Sequence, residues 1–209
     1  MFITFEGLDG SGKTTQLALL AAYLQEQGIP HLCTREPGGT DIGDQIRACL
    51  HDVANTAMSP VTEILLYSAS RAQHVAEVIR PALAEGKIVL CDRFADSTLA
   101  YQGYGRGLDL EALTYITRFA TGGLRPDLTL FFDLDPQSGL HRRSSHGEEM
   151  NRMDLQADAF YRRVREGYEA LVRAEPERWV VIAADRPADA IQADVRRVVA
   201  DRAGVALRS

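Results

Sequence analysis

The feature that most constrains this chain is the run Gly7-Leu8-Asp9-Gly10-Ser11-Gly12-Lys13-Thr14, which satisfies G-x-x-x-x-G-K-[ST] without a mismatch. Its setting gives the pattern structural meaning. A β-branched and aromatic segment, Phe2 to Glu6, precedes it. Gly12 to Gln27 follows, with Leu17, Leu20, Ala21 and Leu24 on one helical stripe and Gly28 as a stop signal. Strand, glycine-rich turn and helix together aim backbone N–H groups at phosphate. Glycines remove the Cβ atoms that would block the approach, and the new helix adds the positive end of its dipole. Lys13 neutralises charge between the outer phosphates, and the Thr14 hydroxyl can ligate Mg²⁺. Gly7, Asp9, Gly10, Ser11, Gly12, Lys13, Thr14 and Thr15 are therefore the expected phosphate-binding set.

Four more short apolar runs read as strands: His31 to Arg35, Ile88 to Asp92, Leu128 to Asp133 and Trp179 to Ala183. The runs at 88–92 and 128–133 show little polar alternation, as expected of strands covered on both faces. Helical patterns lie between them. Ser59-Pro60 opens one as N-cap and first-turn proline, Asp109 to Phe119 and Leu155 to Ala174 form two more, and Arg186-Pro187 opens the last. Strand and helix alternating along the chain predict an α/β fold, a five-stranded parallel sheet flanked by helices, with ligands beyond the carboxyl ends of the strands. No internal repeat or low-complexity linker interrupts the pattern, and 209 residues favour one domain, 1–209. Ser144 to Asn151 is the one polar, glycine-containing stretch that reads as mobile, and arginines flank it.

Charge and composition narrow the partners. A formal net charge of -6 argues against a nucleic-acid polymer but not against a small phosphorylated ligand, which needs only a few local cations. Cys33, Cys49 and Cys91 lack metal-type spacing and read as inert thiols in a reducing compartment. The opening MFITFEG lacks a signal-peptide pattern, and no apolar stretch approaches the ~20 residues that span a bilayer. These features predict a cytoplasmic enzyme without membrane attachment.

The phosphate motif serves GTPases, motor ATPases and small-molecule kinases alike. A guanine-reading Asn-Lys-x-Asp is absent from the sequence, which weighs against a GTPase. Three further motifs are more specific: Thr34-Arg35-Glu36-Pro37-Gly38-Gly39-Thr40 after the second strand, Asp92-Arg93-Phe94 at the end of the third, and Ala100-Tyr101-Gln102-Gly103 soon after. In order and separation, from the first strand to about Pro187, they resemble the motifs of thymidylate kinases. The resemblance implies a P-loop nucleotide kinase fold with a short mobile lid at about 141–152. It also implies transfer of the ATP γ-phosphate to dTMP for dTTP synthesis, Mg²⁺ as the cofactor, and a homodimer packed through helices. Rival readings are another nucleoside monophosphate kinase, acting on AMP or CMP, and a non-catalytic ATP-binding switch.

The resemblance carries roles onto matching positions. Arg93, at a strand end, and Arg47, in the helix after the TREPGGT run, are implied contacts of the acceptor phosphate. Asp9 is implied to accept the sugar 3′-hydroxyl, and Tyr101 to sit under the sugar. Glu36 and Ser97 fall in the same dTMP site. Tyr67 stands where family members usually have phenylalanine, as a platform for thymine. Arg71, one helical turn on, can donate to a thymine carbonyl, and Gln102 offers both a donor and an acceptor to the pyrimidine edge. Asp92 is expected to organise Mg²⁺ water ligands with Thr14, or else to orient Lys13 and Arg93. The variable positions Leu8, Asp9, Gly10 and Ser11 include no arginine, which matches the kind of thymidylate kinase whose catalytic arginines lie in the lid. Arg142 and Arg152 align best with that pattern, and with Lys13 and Arg93 they make up the expected catalytic set. Asn151 departs from an aspartate common in relatives, and Glu148 and Glu149 place negative charge in the lid itself.

Overall fold

The structure, a computed structural model, describes residues 1–145 and 158–203. Among them lie five strands: β1 (Phe2–Gly7), β2 (His31–Arg35), β3 (Ile88–Asp92), β4 (Leu128–Asp133) and β5 (Trp179–Ala183). They pair in parallel throughout, in the order β2-β3-β1-β4-β5. The apolar runs of the sequence and these strands coincide within one residue; the central β1, β3 and β4 are buried along nearly their whole length, while the edge strands β2 and β5 are partly exposed. Register then assembles the site. Arg35 lies level with Asp92, Asp92 with Phe5, and Gly7 with Phe132, so the segments leaving β1, β2 and β3 emerge at one edge.

Helices cover both faces. α1 (Lys13–Glu26) packs Leu17, Leu20 and Leu24 with Val195 and Val199 of α9 (Ala188–Ala203) against Ile3, Phe5, Leu130 and Phe132. The opposite face carries α8 (Asp158–Ala174), whose Phe160, Val164 and Tyr168 meet Phe131, Trp179 and Tyr101. Alternation along β1 sends Ile3 and Phe5 to the first layer and leaves Thr4 and Glu6 for the second. Both of these polar side chains are fully buried. Local signals set the helix starts. Thr40 caps α2 (Asp41–His51) by accepting from the Gly43 N–H at 2.9 Å. Ser59 caps α3 (Pro60–His74) by accepting from the Thr62 N–H at 3.1 Å. Asp109 does the same for α6 (Leu110–Thr121), which Gly122 closes in the left-handed region.

Two π-helical segments escape any helical-period reading. Val75–Ile79 leads into the short α4 (Arg80–Ala84), where Pro81 supplies no N–H to the preceding turn. Leu99–Gly105 continues the four-residue α5 (Ala95–Thr98) and carries Tyr101 and Gln102. A π turn widens the helix and re-aims its side chains, and this one presents both residues to the strand ends. It rests on α8 at Gly167, where a Cβ would stand 2.7 Å from the Tyr104 ring. Gly167→Ala is expected to lower stability by about 1–2 kcal/mol, overpacking outweighing the gain in helix propensity. A shift in the urea unfolding midpoint would measure it.

Candidate active site

The edge where β1, β2 and β3 end opens into a cavity of about 640 Å³. That size suits small-molecule ligands. Every residue of the expected ATP, dTMP, metal and catalytic sets lines it except Gly7 and Arg152. Gly7 turns the chain out of β1 with φ 142°, and Arg152 lies outside the described residues, as do Glu148, Glu149 and Asn151. Arg142 is on the described part of α7 (Pro136–Ser145). It lines the cavity and donates to the Ala184 carbonyl at 2.9 Å.

The glycine-rich turn is held open by backbone conformation. Gly10 and Gly12 take φ values of 77° and 86°, and Gly12 starts α1. Lys13 folds over the turn and donates to the Leu8 carbonyl at 2.7 Å. Burial, and then the nearby Arg93 guanidinium, push its amine down to about 8, while Asp9, Asp92 and Glu6 oppose the shift. An anion in the turn would favour the charged form. Gly10 also faces Gly139 of α7 at close range: a Cβ on Gly10 would stand 2.2 Å from the Gly139 carbonyl oxygen. Thr14 donates through its hydroxyl to Asp92 Oδ2. That pair is an all-oxygen donor set of the kind Mg²⁺ uses with phosphate oxygens and water. Among the described residues no cluster of three or more His, Cys, Asp or Glu side chains could hold a metal by itself.

Arg93 is the centre of the cavity. Among the described residues it is the one non-glycine residue with positive φ, at 67°, a conformation costing on the order of 1–3 kcal/mol that surrounding bonds must offset. Its N–H donates to the Phe5 carbonyl at 3.0 Å. Its Nη1 donates to Ser97 Oγ at 3.1 Å and to the Tyr168 hydroxyl at 3.3 Å. Its Nη2 donates to Asp9 Oδ1 at 2.8 Å and to the Tyr101 hydroxyl at 3.1 Å. The guanidinium also lies 5.0 Å from the Tyr101 ring centroid. Burial alone would lower its affinity for a proton, but Tyr101, Asp9, Tyr168 and Glu6 outweigh it and hold the group well above its ordinary value.

Beneath Arg93 lies a residue the sequence reading did not single out. Glu6 Oε2 accepts from Ser97 Oγ at 2.6 Å and from the Tyr168 hydroxyl at 2.8 Å, and Oε1 accepts from the Phe94 N–H at 2.8 Å. The two groups that receive Arg93 Nη1 are thus themselves anchored on Glu6. Burial, with help from Asp96, raises the Glu6 carboxyl to about 7. A charged residue on the inward face of a central strand was the available signal, together with a tyrosine on the apolar stripe of α8.

The side of the cavity away from the glycine-rich turn is tied together by α3. Arg71, 2% exposed, donates to Glu36 Oε2 at 2.7 Å, to Thr98 Oγ1 at 3.0 Å and to the Phe94 carbonyl at 3.2 Å. Glu36 Oε1 pairs with His74 Nδ1 at 3.0 Å, and the Gly38 N–H donates to Ser70 Oγ at 3.0 Å. Glu36 therefore fixes the Arg71 fork and fastens the loop after β2 to α3. Arg47 lines the cavity and donates to the Pro37 carbonyl at 2.9 Å. Burial, and then Arg35, lower its proton affinity. Gln102 donates to Glu63, a second buried carboxylate the sequence reading passed over.

A parallel sheet with a phosphate cradle after β1 and arginines converging on it defines a P-loop nucleotide kinase. The thymidylate kinase family model matches residues 5–195. The thymidylate kinase of Symbiobacterium thermophilum is 54% identical over 199 residues, covering 95% of this chain and 92% of that protein. The thymidylate kinase of Geotalea uraniireducens is 53% identical over 186 residues, 87% of each. A crystal structure of thymidylate kinase from Ehrlichia chaffeensis superposes with a TM-score of 0.77 at 35% identity, over 95% of this chain and 98% of that one. The chain belongs to the thymidylate kinase family.

Glu6 makes a prediction in pH. Between pH 4.5 and about 7 the folded chain keeps a proton on this carboxyl that the unfolded chain has lost. Its contribution to stability is complete below 4.5 and is lost as pH rises through about 7, a change on the order of 3 kcal/mol. Glu6→Gln should flatten that part of the stability profile relative to the parent in urea unfolding at pH 4.5 to 8.

Proposed function

We propose that the chain transfers the γ-phosphate of ATP to dTMP, giving dTDP and ADP for dTTP synthesis, as one kinase domain spanning 1–209. The observation that carries the reading is a single cavity lined at one end by the glycine-rich turn and Lys13 and at the other by Arg47, Tyr67, Arg71 and Gln102, with Arg93 in between. In this reading ATP phosphates lie in the turn formed by Gly10 to Thr15, and the dTMP phosphate lies against Arg93 and Arg47. Tyr67 stacks on thymine, Arg71 and Gln102 meet its polar edge, and Tyr101 lies under the sugar. Asp9, Glu36 and Ser97 complete the acceptor site, Asp9 as partner of the 3′-hydroxyl.

The chemistry asks for alignment and charge dispersal more than for covalent help. The acceptor phosphate oxygen is already ionised near neutral pH, so no general base is needed. Two anions must instead be brought into line against their repulsion. Lys13 and Arg93 supply positive charge from opposite sides of the bridging region. Arg142 and Arg152, within a lid at 141–152, would add charge to the transferring group and help exclude water. Thr14 and Asp92 would hold Mg²⁺, directly or through water, and the ion would shield charge on the outer phosphates. ADP release in a panel of dTMP, dUMP, dCMP and AMP, each with and without Mg²⁺, tests the assignment. Turnover should require Mg²⁺ and be highest with dTMP. The missing methyl of dUMP should cost about 10–200-fold in kcat/KM, and the wrong edge of AMP up to ~10⁴–10⁵-fold. Comparable turnover of AMP and dTMP would overturn it.

Two coarser properties belong to the same reading. A cytoplasmic location is supported by three cysteines that stand unpaired. Among the described residues no helix is long and apolar enough to cross a membrane. A homodimer is supported by one apolar surface. Val61 and Leu65 are exposed one turn apart on α3. Tyr115 and Phe119, 74% and 82% exposed, are one turn apart on α6, which packs beside α3. Tyr115→Glu combined with Phe119→Glu should convert the dimer to a monomer in analytical ultracentrifugation. An unchanged sedimentation coefficient would exclude this face.

A further inference from the structure

Among the polar groups lining the cavity, a glutamine amide is intrinsically ambiguous. Its oxygen and nitrogen ends are nearly isosteric, and a half-turn about the last bond exchanges acceptor and donor. The two pyrimidine edges differ by the same exchange. Thymine and uracil carry hydrogen on N3 with an acceptor at position 4. Cytosine has a bare N3 and an amino donor at position 4. A glutamine free to turn would serve either edge.

Gln102 is not free to turn. Its Nε2 donates to Glu63 Oε1 at 2.9 Å, and Gln102 itself is 2% exposed. Glu63, 1% exposed at the first turn of α3, is gripped in turn by Arg106. Arg106 Nε donates to Oε1 at 2.7 Å and Nη2 donates to Oε2 at 2.9 Å. Arg106 follows the π turn that carries Gln102, and its guanidinium lies 5.6 Å from the Phe160 ring centroid. A carboxylate accepts and does not donate. Turning the Gln102 amide over would set its oxygen against Glu63 Oε1, acceptor to acceptor, in a buried place. Glu63 cannot swing aside, since both its oxygens are held.

We propose that Glu63, fixed by Arg106, is a specificity-determining positioning residue: it locks the Gln102 amide with its carbonyl oxygen available to the base, and so selects a pyrimidine bearing hydrogen on N3 over cytosine. The proposal rests on the reading of Gln102 as a base contact. It divides the work of recognition, because the lock treats thymine and uracil alike and leaves discrimination of the 5-methyl group to other parts of the cavity. Arg71 offers donors toward the same edge, so removing the lock relaxes selection against cytosine only in part.

The test is kcat/KM for dTMP, dUMP and dCMP with the parent, Glu63→Gln and Gln102→Ala. Glu63→Gln keeps size and shape but can donate or accept, so the Gln102 amide can turn. The dCMP-to-dTMP ratio of kcat/KM should rise roughly 10-fold to 100-fold, and the dUMP-to-dTMP ratio should hold its parent value. Such ratios do not respond to the fraction of folded enzyme, so a merely structural role would leave both unmoved. If neutralising the carboxylate that faces Arg106 prevents folding, Glu63→Gln with Arg106→Gln carries the same expectation. A dCMP ratio that stays at the parent value in these variants, while Gln102→Ala raises it, overturns the lock and leaves the base contact standing. A ratio unmoved by Gln102→Ala as well overturns the base contact and the lock together.

Discussion

A guanidinium can be kept largely out of water only where its hydrogens are met, and the architecture around Arg93 follows from that requirement. Asp9 comes from the phosphate turn, Ser97 and Tyr101 from the helical segment after β3, and Tyr168 from α8. Each element is thereby registered against the others through one side chain. Glu6 closes the arrangement from below, receiving two of the same hydroxyls. Removing one partner from such a set costs more than the lost bond, since the remaining polar groups stay buried without compensation. The positive φ of Arg93 belongs to the same account: an uncommon backbone conformation persists where many contacts over-determine it.

The two ends of the cavity are stabilised by different means. At the end formed by the glycine-rich turn the polar groups are mainly backbone, shaped by Gly10 and Gly12 and by the start of α1. At the other end they are side chains held by other side chains, Arg71 by Glu36 and Thr98, Gln102 by Glu63. Phosphate is the same in every nucleotide, so a backbone nest suffices for it. A base is recognised by the pattern of its edge, and that demands amide and guanidinium groups in one orientation. Glu36 and Glu63 are both buried and bonded to arginines, so their negative charge is compensated beside the cavity.

Much of this was legible from sequence for identifiable reasons. β1, β3 and β4 are buried along nearly their whole length, so their hydrophobic runs announce them with little interference from function, whereas the edge strands β2 and β5 are only partly covered. The phosphate turn, the DRF segment and the TREPGGT run lie next to strand ends, so placing the strands placed them together. Other parts gave no periodic signal. Nothing in Leu99 to Gly105 announces a π turn, because the change from helical period covers only seven residues. Glu6 reads as the polar end of a strand, and its role depends on Tyr168, 162 positions away. Glu63 reads as an acidic residue in the first turn of a helix, favoured there by the dipole alone. Its contact with Gln102 arises only when α3 packs beside the π turn.

Where Gly10 meets Gly139, two stretches of main chain touch with no side chain to cushion them. Flexible side chains absorb small displacements, whereas bare peptide planes in contact transmit them. The glycine-rich turn and α7 therefore keep one spacing at this point, three residues before Arg142 on the same helix.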